Sequence, residues 1–365
     1  MPTLRTSTVN IRYGIPAEIG TAWRCLQQKN PALQSPYFAP DFTAIIAGAR
    51  NNVELAVLED GKVIAGCFPF ERRRWNFAGP VGSFISDYHG VISAPDLRFD
   101  PQALLRACGL VAWDFDHVPT AQVSLEPFHR ELHRSPIIDL TAGYEAYVGE
   151  RRAAGTEQIK KNGNLLRRLE REVGPLQFII HSPDRALLEK LLAWKTDQFR
   201  RNRWRDLFSI PWVRQTMEGI HATQTPDFAG MLSALYAGGQ LVAAHFGMRS
   251  ATVWHYWFPA YDPAFANYSP GVMLLLKMAE AAASMGIRTI DLGCGEHSYK
   301  YRLMNGYVPT ASGSVERPGP ATFVRHLWTP IRKLPFKARC WINQTPVGTL
   351  ARRIRDGAPR NNPDA

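Results

Sequence analysis

The chain has 365 residues, is 45% hydrophobic and 21% charged, and carries a formal net charge of +11. That length suits two domains of ordinary size, and the apolar share is ample for real cores, which excludes wholesale disorder. Lys277 and Glu280 interrupt the longest apolar helical stretch, 271–286, and no run reaches the ~18 apolar residues of a spanning helix, which excludes an integral membrane protein.

The opening stretch MPTLRTSTVNIRYG holds no apolar segment of a signal peptide, so a cytoplasmic protein is expected, with peripheral attachment to the inner membrane as an option. VELAVLE (53–59) alternates towards a turn at Asp60-Gly61, and KVIAGCFPF (62–70) returns, which reads as a β-hairpin. Strand-like residues continue through 81–86, followed by Asp87, Tyr88 and His89 before Gly90. A helix begins near Pro101 and a strand is expected near 121–125.

A basic helical region spans 144–173, where Leu165, Leu166 and Leu169 make an apolar stripe flanked by Arg167, Arg168 and Arg171. It reads either as a solvated helix face or as a grip on a polyanion. A helix over 185–200 precedes a second hairpin, MLSALYA and QLVAAHFGM about Gly238-Gly239, and then a third strand, TVWHYWFPA (252–260). In that strand Trp254, Tyr256 and Phe258 are expected on one face, with His255 and Trp257 on the other. The helix GVMLLLKMAEAAASMG and the strand RTIDL (288–292) follow.

The two hairpin turns lie about 178 positions apart and the two helix starts about 170 apart, which predicts two similarly built α/β units with a mixed sheet. From 321 to 365 there are nine Lys/Arg against two Asp/Glu, so this Pro-containing tail alone supplies +7 of the +11. Five scattered cysteines without CxxC or Cys/His spacing argue against a disulfide framework or a zinc site, so no metal is expected.

Tyr268-Ser269-Pro270-Gly271 lies between the third strand and its helix. Ser269 suits the N-cap, Pro270 suits N1, and Gly271 lets a ligand approach the backbone with no Cβ in the way. With the first-turn amides as far as Val272 unpaired, this is either a well-capped structural helix or a pyrophosphate cradle, favouring an anion by about 0.3–2 kcal/mol. The first unit lacks such a glycine.

SPG at 269–271, together with Asp291-Leu292-Gly293-Cys294-Gly295-Glu296-His297-Ser298-Tyr299-Lys300, resembles the CelD/BcsL-type acyltransferases of the GNAT superfamily, relatives of Fem-type peptidyltransferases. The resemblance runs over about 141–317, and Ser86-Asp87-Tyr88-His89-Gly90 extends it into the first half. Leu292 stands where an aromatic is usual. The resemblance implies an α/β fold of two tandem GNAT-like units. Their boundaries are expected at 1–140 (an N-terminal half without acyl-CoA), 141–173 (basic linker), 174–317 (acyltransferase domain) and 318–365 (basic tail). It implies acyl-CoA, acetyl-CoA first, as co-substrate, held at Tyr268, Ser269, Pro270, Gly271 and Val272. It also implies N- or O-acyl transfer linked to cellulose or exopolysaccharide synthesis.

Thioester transfer needs an oriented nucleophile, a proton acceptor and oxyanion stabilisation. The candidate catalytic residues are His255 as general base, Asp291 to accept a proton or orient the acceptor, Lys300 to offset charge, and Tyr299 to protonate the leaving thiolate. Each has a plain structural alternative: a core histidine, an Asx turn, or an exposed helix start. Asp87, Tyr88, His89 and Glu296 are expected to contact a small-molecule or saccharide acceptor between the halves. Cys294 has no base nearby in sequence and reads as a packing position. Two other functions fit the same residues. One is Fem-like aminoacyl transfer with tRNA as the only nucleic-acid partner. The other is a non-catalytic accessory protein whose tail docks on an anionic membrane or a polysaccharide synthase.

Overall fold

A computed structural model of the chain describes residues 4–295, 298–319 and Thr322. Glu296 and nearly all of the basic tail, 318–365, lie outside the described residues. In the first half the elements run β1 (Arg5–Asn10), α1 (Ala17–Lys29), α2 (Pro40–Ala49), β2 (Val53–Asp60), β3 (Val63–Arg73), β4 (Phe77–Gly79), β5 (Ile92–Ser93), α3 (Pro101–Ala107), β6 (Ala112–Pro119) and β7 (His129–Asp139). Then come α4 (Tyr144–Ala153), α5 (Gln158–Val173), β8 (Leu176–Ile179), α6 (Arg185–Arg201), α7 (Pro211–Ala222), β9 (Ala229–Ala237), β10 (Gln240–Arg249), β11 (Val253–Tyr261), α8 (Pro270–Ser284), β12 (Thr289–Asp291), α9 (Ser298–Leu303) and β13 (Gly306–Glu316).

Both expected hairpins form: Asp60 pairs with Val63 about Gly61, and Ala237 pairs with Gln240 about Gly238-Gly239. The strands join one mixed sheet in the order β1-β2-β3-β4-β6-β13-β7-β12-β11-β10-β9-β8, with β5 on the side of β3. Among the described residues β11–β12 and β4–β6 are parallel pairs and the other pairs are antiparallel.

Two expected strands are turns. Over 81–86 the chain makes a 3-10 turn, Ser83–Ile85, because Gly82 is left-handed (φ 81°) and its N–H donates to Glu71 Oε1 at 2.9 Å. The 121–125 stretch falls largely in the 3-10 turn Val123–Phe128. Just before it, Gln122 exchanges hydrogen bonds with the Val91 backbone at 3.0 and 3.1 Å. The strand that follows α3 is β6.

One face of the sheet packs α1, α2, α6 and α7 over a core that joins Phe42 and Ile46 to Leu191, Val213, Met217 and Phe246. The other packs α4, α5 and α8 through Leu169, Met273, Leu274 and Leu275 against Trp254, Tyr256 and Ile290. A third cluster lies under α3, with Phe68, Leu105 and Trp113. No helix among the described residues is long and apolar enough to cross a membrane.

Candidate active site

β11 outruns its parallel neighbour. β12 pairs with it only at Val253, Trp254 and His255, opposite Thr289, Ile290 and Asp291, whereas β11 continues to Tyr261. Past Asp291 the Leu292 N–H bonds to Pro136 O on β7 at 3.0 Å, and Gly293 turns the chain with φ 68°. The two strands therefore fork at His255, and β11 beyond it has an edge that β12 leaves unpaired.

On its other side β11 carries a bulge. Phe246 pairs with Phe258 and Met248 with His255, so Tyr256 and Trp257 together oppose Gly247. A Cβ on Gly247 would lie 2.2 Å from His255 O, so glycine is required there. His245 fills the interrupted ladder: its Nε2 accepts the Trp257 N–H at 3.1 Å and its ring stacks on Tyr256 at 4.6 Å. Burial, then the neighbouring His255, pushes the His245 pKa well down, so the ring stays neutral and can accept. The bulge flips the expected alternation. Trp254 and Tyr256 enter one core, while Phe258, with Trp257 beside it, belongs to the other.

His255 is fully buried at the fork. Its Nε2 lies 3.1 Å from Asp87 Oδ2 and its Nδ1 lies 3.9 Å from Asp291 Oδ1. Tyr37 packs edge-on against the ring at 5.0 Å and donates its hydroxyl to Ile85 O at 3.3 Å. Burial, then the charges of Asp87 and Asp291, raises the Tyr37 pKa well above its ordinary value. Asp291 Oδ1 accepts the Gly293 N–H at 2.8 Å and the Ser135 hydroxyl at 3.2 Å, so it does make the Asx turn named as its structural alternative.

Lys300 is buried and donates to Gly293 O and Cys294 O, each at 3.0 Å. Burial lowers its pKa against the opposing pull of Asp87, Cys294 and Asp291. The ammonium thus clamps the turn that brings Gly293 to the site. A Cβ at Gly293 would lie 2.7 Å from Asp87 Oδ2 and 3.3 Å from His255 Cε1.

Tyr299 packs beside the α8 core, and burial raises its phenol to about 12. Tyr88 is buried beside Asp291 and Ser135. His89, expected to meet an acceptor, is instead tied to β6. Its Nε2 accepts the Asp116 N–H at 3.0 Å, and burial lowers its pKa to about 4.

The loop before α8 departs in part from its expected form. Ser269 occupies the N-cap in the left-handed region (φ 56°) with no side-chain cap, and Pro270 is at N1. Val272 and Met273 donate back to Ser269 O at 3.1 and 3.3 Å, so they do not point outward unpaired. Nothing lies within 4 Å of a Cβ built on Gly271, so its backbone remains approachable. Tyr268 donates to Glu172 Oε2 at 2.6 Å beneath the Arg168 guanidinium, which pins the loop to α5. The start of α8 thus keeps an approachable Gly271 backbone with the positive end of the helix dipole behind it. A cavity of about 790 Å³ between α4, α5 and α8 has none of the residues around His255 in its lining.

Three contributors lie outside the motif and were not singled out from sequence: Tyr37, Ser135 and the Gly247 bulge. A glycine inside a strand was the one available signal. Among the described residues no group of three or more His, Cys, Asp or Glu could hold a metal ion.

Residues 158–301 match the family model of the acetyltransferase (GNAT) domain, from the start of α5 into α9. No curated protein matches the chain. Among solved structures, FemX is 10% identical, covering 88% of this chain and 99% of its own at a TM-score of 0.60. The C-terminal domain of a putative lysylphosphatidylglycerol synthetase from Agrobacterium fabrum is 12% identical, covering 86% and 96% at 0.52. A tandem GNAT protein from the clavulanic acid biosynthesis pathway is 11% identical, covering 87% and 99% at 0.48. The chain thus has a mixed α/β, GNAT-like fold and carries a GNAT acyltransferase domain, a class that generally draws its acyl group from acyl-CoA.

Proposed function

We propose that the protein transfers an acyl group, acetyl in the first instance, from a coenzyme A thioester to an acceptor bound between its two halves. The observation that carries this reading is the fork of β11 and β12. It offers an unpaired strand edge to the thioester arm, and it holds a buried histidine between carboxylates from both halves.

In this reading the pyrophosphate rests on the start of α8 at Gly271, and Tyr268, Ser269, Pro270 and Val272 shape that turn. Backbone N–H groups of β11 beyond His255 polarise the thioester carbonyl. His255 takes the proton of the attacking amine or hydroxyl. Asp87 stabilises the imidazolium so formed, while Asp291 and Lys300 hold the turn that completes the site. Tyr299, with its phenol protonated, is the acid for the leaving thiolate. Tyr88 lines the acceptor side together with Asp87, and the 1–140 half contributes no second donor site. A saccharide linked to cellulose or exopolysaccharide production is the proposed acceptor class, supported by the motif resemblance alone. A basic tail beyond 318 would keep such an enzyme at an anionic membrane surface or beside a polysaccharide synthase.

Calorimetric titration with acetyl-CoA tests the donor. Binding is expected, and Gly271→Trp should abolish it by filling the open space above the helix start. An intact protein that binds no acyl-CoA would sink the proposal. Salt-sensitive tRNA binding with aminoacyl transfer would favour the Fem-like alternative.

A further inference from the structure

Between α6 and α7 the chain reads Phe199-Arg200-Arg201-Asn202-Arg203-Trp204-Arg205-Asp206, arginines gathered about one tryptophan, and no step of the acyl transfer uses them. α6 closes with a left-handed cap: the Trp204 N–H donates to Phe199 O at 2.8 Å and the Arg203 N–H to Arg200 O at 3.0 Å. That cap favours glycine at position 203, yet an arginine stands there with φ 56°. The next side chain of such a cap is usually apolar and packs back on the last helical turn. Trp204 only leans on Phe199, with ring centres 6.4 Å apart, and stays 55% exposed. A strained backbone position and a wet indole both cost the isolated chain stability.

Charge on the loop is one-sided. Asp206 turns inward, where it accepts the Thr196 hydroxyl at 3.2 Å and the Phe208 N–H at 3.0 Å. Arg200 has Asp197 at 3.5 Å. Arg201, Arg203 and Arg205 are exposed and have no ion pair among the described residues.

The loop also adjoins the candidate site. From Phe199 the rings run in contact through Phe208 (5.8 Å) and Phe258 (5.2 Å) to Trp257 (4.7 Å), which packs on His255 at 6.2 Å. Trp212 follows in the first turn of α7. Against it, at 5.5 Å, lies Phe84, half exposed and just upstream of Asp87.

We propose that this loop docks the protein on an anionic phospholipid bilayer, with Trp204 among the headgroups and Arg201, Arg203 and Arg205 on lipid phosphates. An indole favours the membrane interface, where its ring is dry and its N–H is wet, and anionic lipid attracts the basic side chains beside it. Single-stranded nucleic acid is instead gripped along a row of stacking rings, and this loop offers one. Phe84 adds a second apolar contact, so docking sets the Asp87 side of the site next to the bilayer.

The full chain should co-sediment with vesicles of equimolar phosphatidylcholine and phosphatidylglycerol, less so as salt rises, and not with phosphatidylcholine alone. Arg201→Gln and Arg205→Gln should each weaken binding about fivefold. Arg203→Gly removes a charge and the backbone strain together. It should raise the thermal midpoint while weakening vesicle binding, a combination that misfolding cannot imitate. Vesicles with brominated acyl chains should quench tryptophan emission, and Trp204→Phe should lose most of that quenching. Unchanged quenching in Trp204→Phe, or wild-type vesicle binding in all three arginine variants, would overturn the proposal, whatever the tail beyond 318 contributes. Loss of RNA binding in these variants with vesicle binding intact would also overturn it and assign the loop to nucleic acid. None of these measurements involves acyl-CoA, so the donor reading stands or falls separately.

Discussion

The two carboxylates beside His255 are not equivalent, and their surroundings divide the work between them. Asp291 is almost fully buried and already spends Oδ1 on the Gly293 N–H and the Ser135 hydroxyl, while 3.9 Å separates it from the imidazole. Asp87 is partly exposed and sits at 3.1 Å from Nε2. Asp87→Asn should therefore slow release of coenzyme A from acetyl-CoA by about 10²-fold or more, with little loss of stability. Asp291→Asn should instead lower the unfolding midpoint by leaving buried donors badly paired, a cost of about 1–3 kcal/mol. A larger rate loss in Asp291→Asn than in Asp87→Asn, at equal stability, would reverse these roles. His89 offers a pH test. Its folded pKa of about 4 lies below the ordinary value of about 6.5. Its neutral form thus contributes stability that is complete above about pH 6.5 and is lost as pH falls towards 4, at most about 3 kcal/mol. Denaturant melts from pH 7 to 4 should show a shallower decline in His89→Gln than in wild type, since the buried imidazole no longer has to charge. Identical slopes would remove His89 from the account of acid sensitivity.

At the scale of elements, the site depends on one irregularity in an otherwise regular hairpin. Gly247→Ala should push a methyl group into His255 O, 2.2 Å away, and into the His245 ring. The β10–β11 ladder would have to shift by one residue, turning Trp257 and Phe258 out of the core that they share with Trp212 and Phe208. A fall in thermal midpoint of several degrees is expected, with loss of acetyl-CoA binding, measured by scanning calorimetry and titration. A variant with wild-type binding would show that the bulge does not shape the donor slot. This irregularity also marks where sequence reading stopped. The hairpins were legible because Asp60-Gly61 and Gly238-Gly239 punctuate clear alternation. α8 was legible from its Pro270 start and its continuous apolar run. β7 was missed because its first half, HRELHR, carries charges that mask the strand period, and β6 because only the short stretch 108–111 separates it from α3. His255 and Asp291 stood out within short motifs, whereas the pairing of His255 with Asp87 spans 168 positions and exists only once the sheet is assembled.

For the whole molecule, the order of strands does not follow the order of the chain. β13, the last described strand, lies between β6 and β7, and β7 in turn carries the β12 edge through Thr289↔Asp139, Ile290↔Ile138 and Asp291↔Ile137. The core on one face mixes α2 with α7 and β10, and Gly219 of α7 leaves only the room that Ile45 of α2 requires: an added Cβ would lie 2.8 Å from it. The segment that matches the GNAT domain, 158–301, therefore lacks both the strand that supports the fork, β7, and the first-half part of that mixed core, Trp23, Phe42 and Ile46 among it. Excised alone, it should expose that apolar face and aggregate or remain molten, with weak near-ultraviolet circular dichroism. Residues 4–319 should instead unfold in one cooperative transition, because each half completes the other's core. Two separate calorimetric peaks, with the excised segment still binding acetyl-CoA, would mean that the halves fold independently. His255 would then need Asp87 only as a neighbour brought to it after folding. A single transition would instead make the first half part of the catalytic unit, since the same packing that stabilises β10 and β11 sets the 3.1 Å approach of Asp87 to His255.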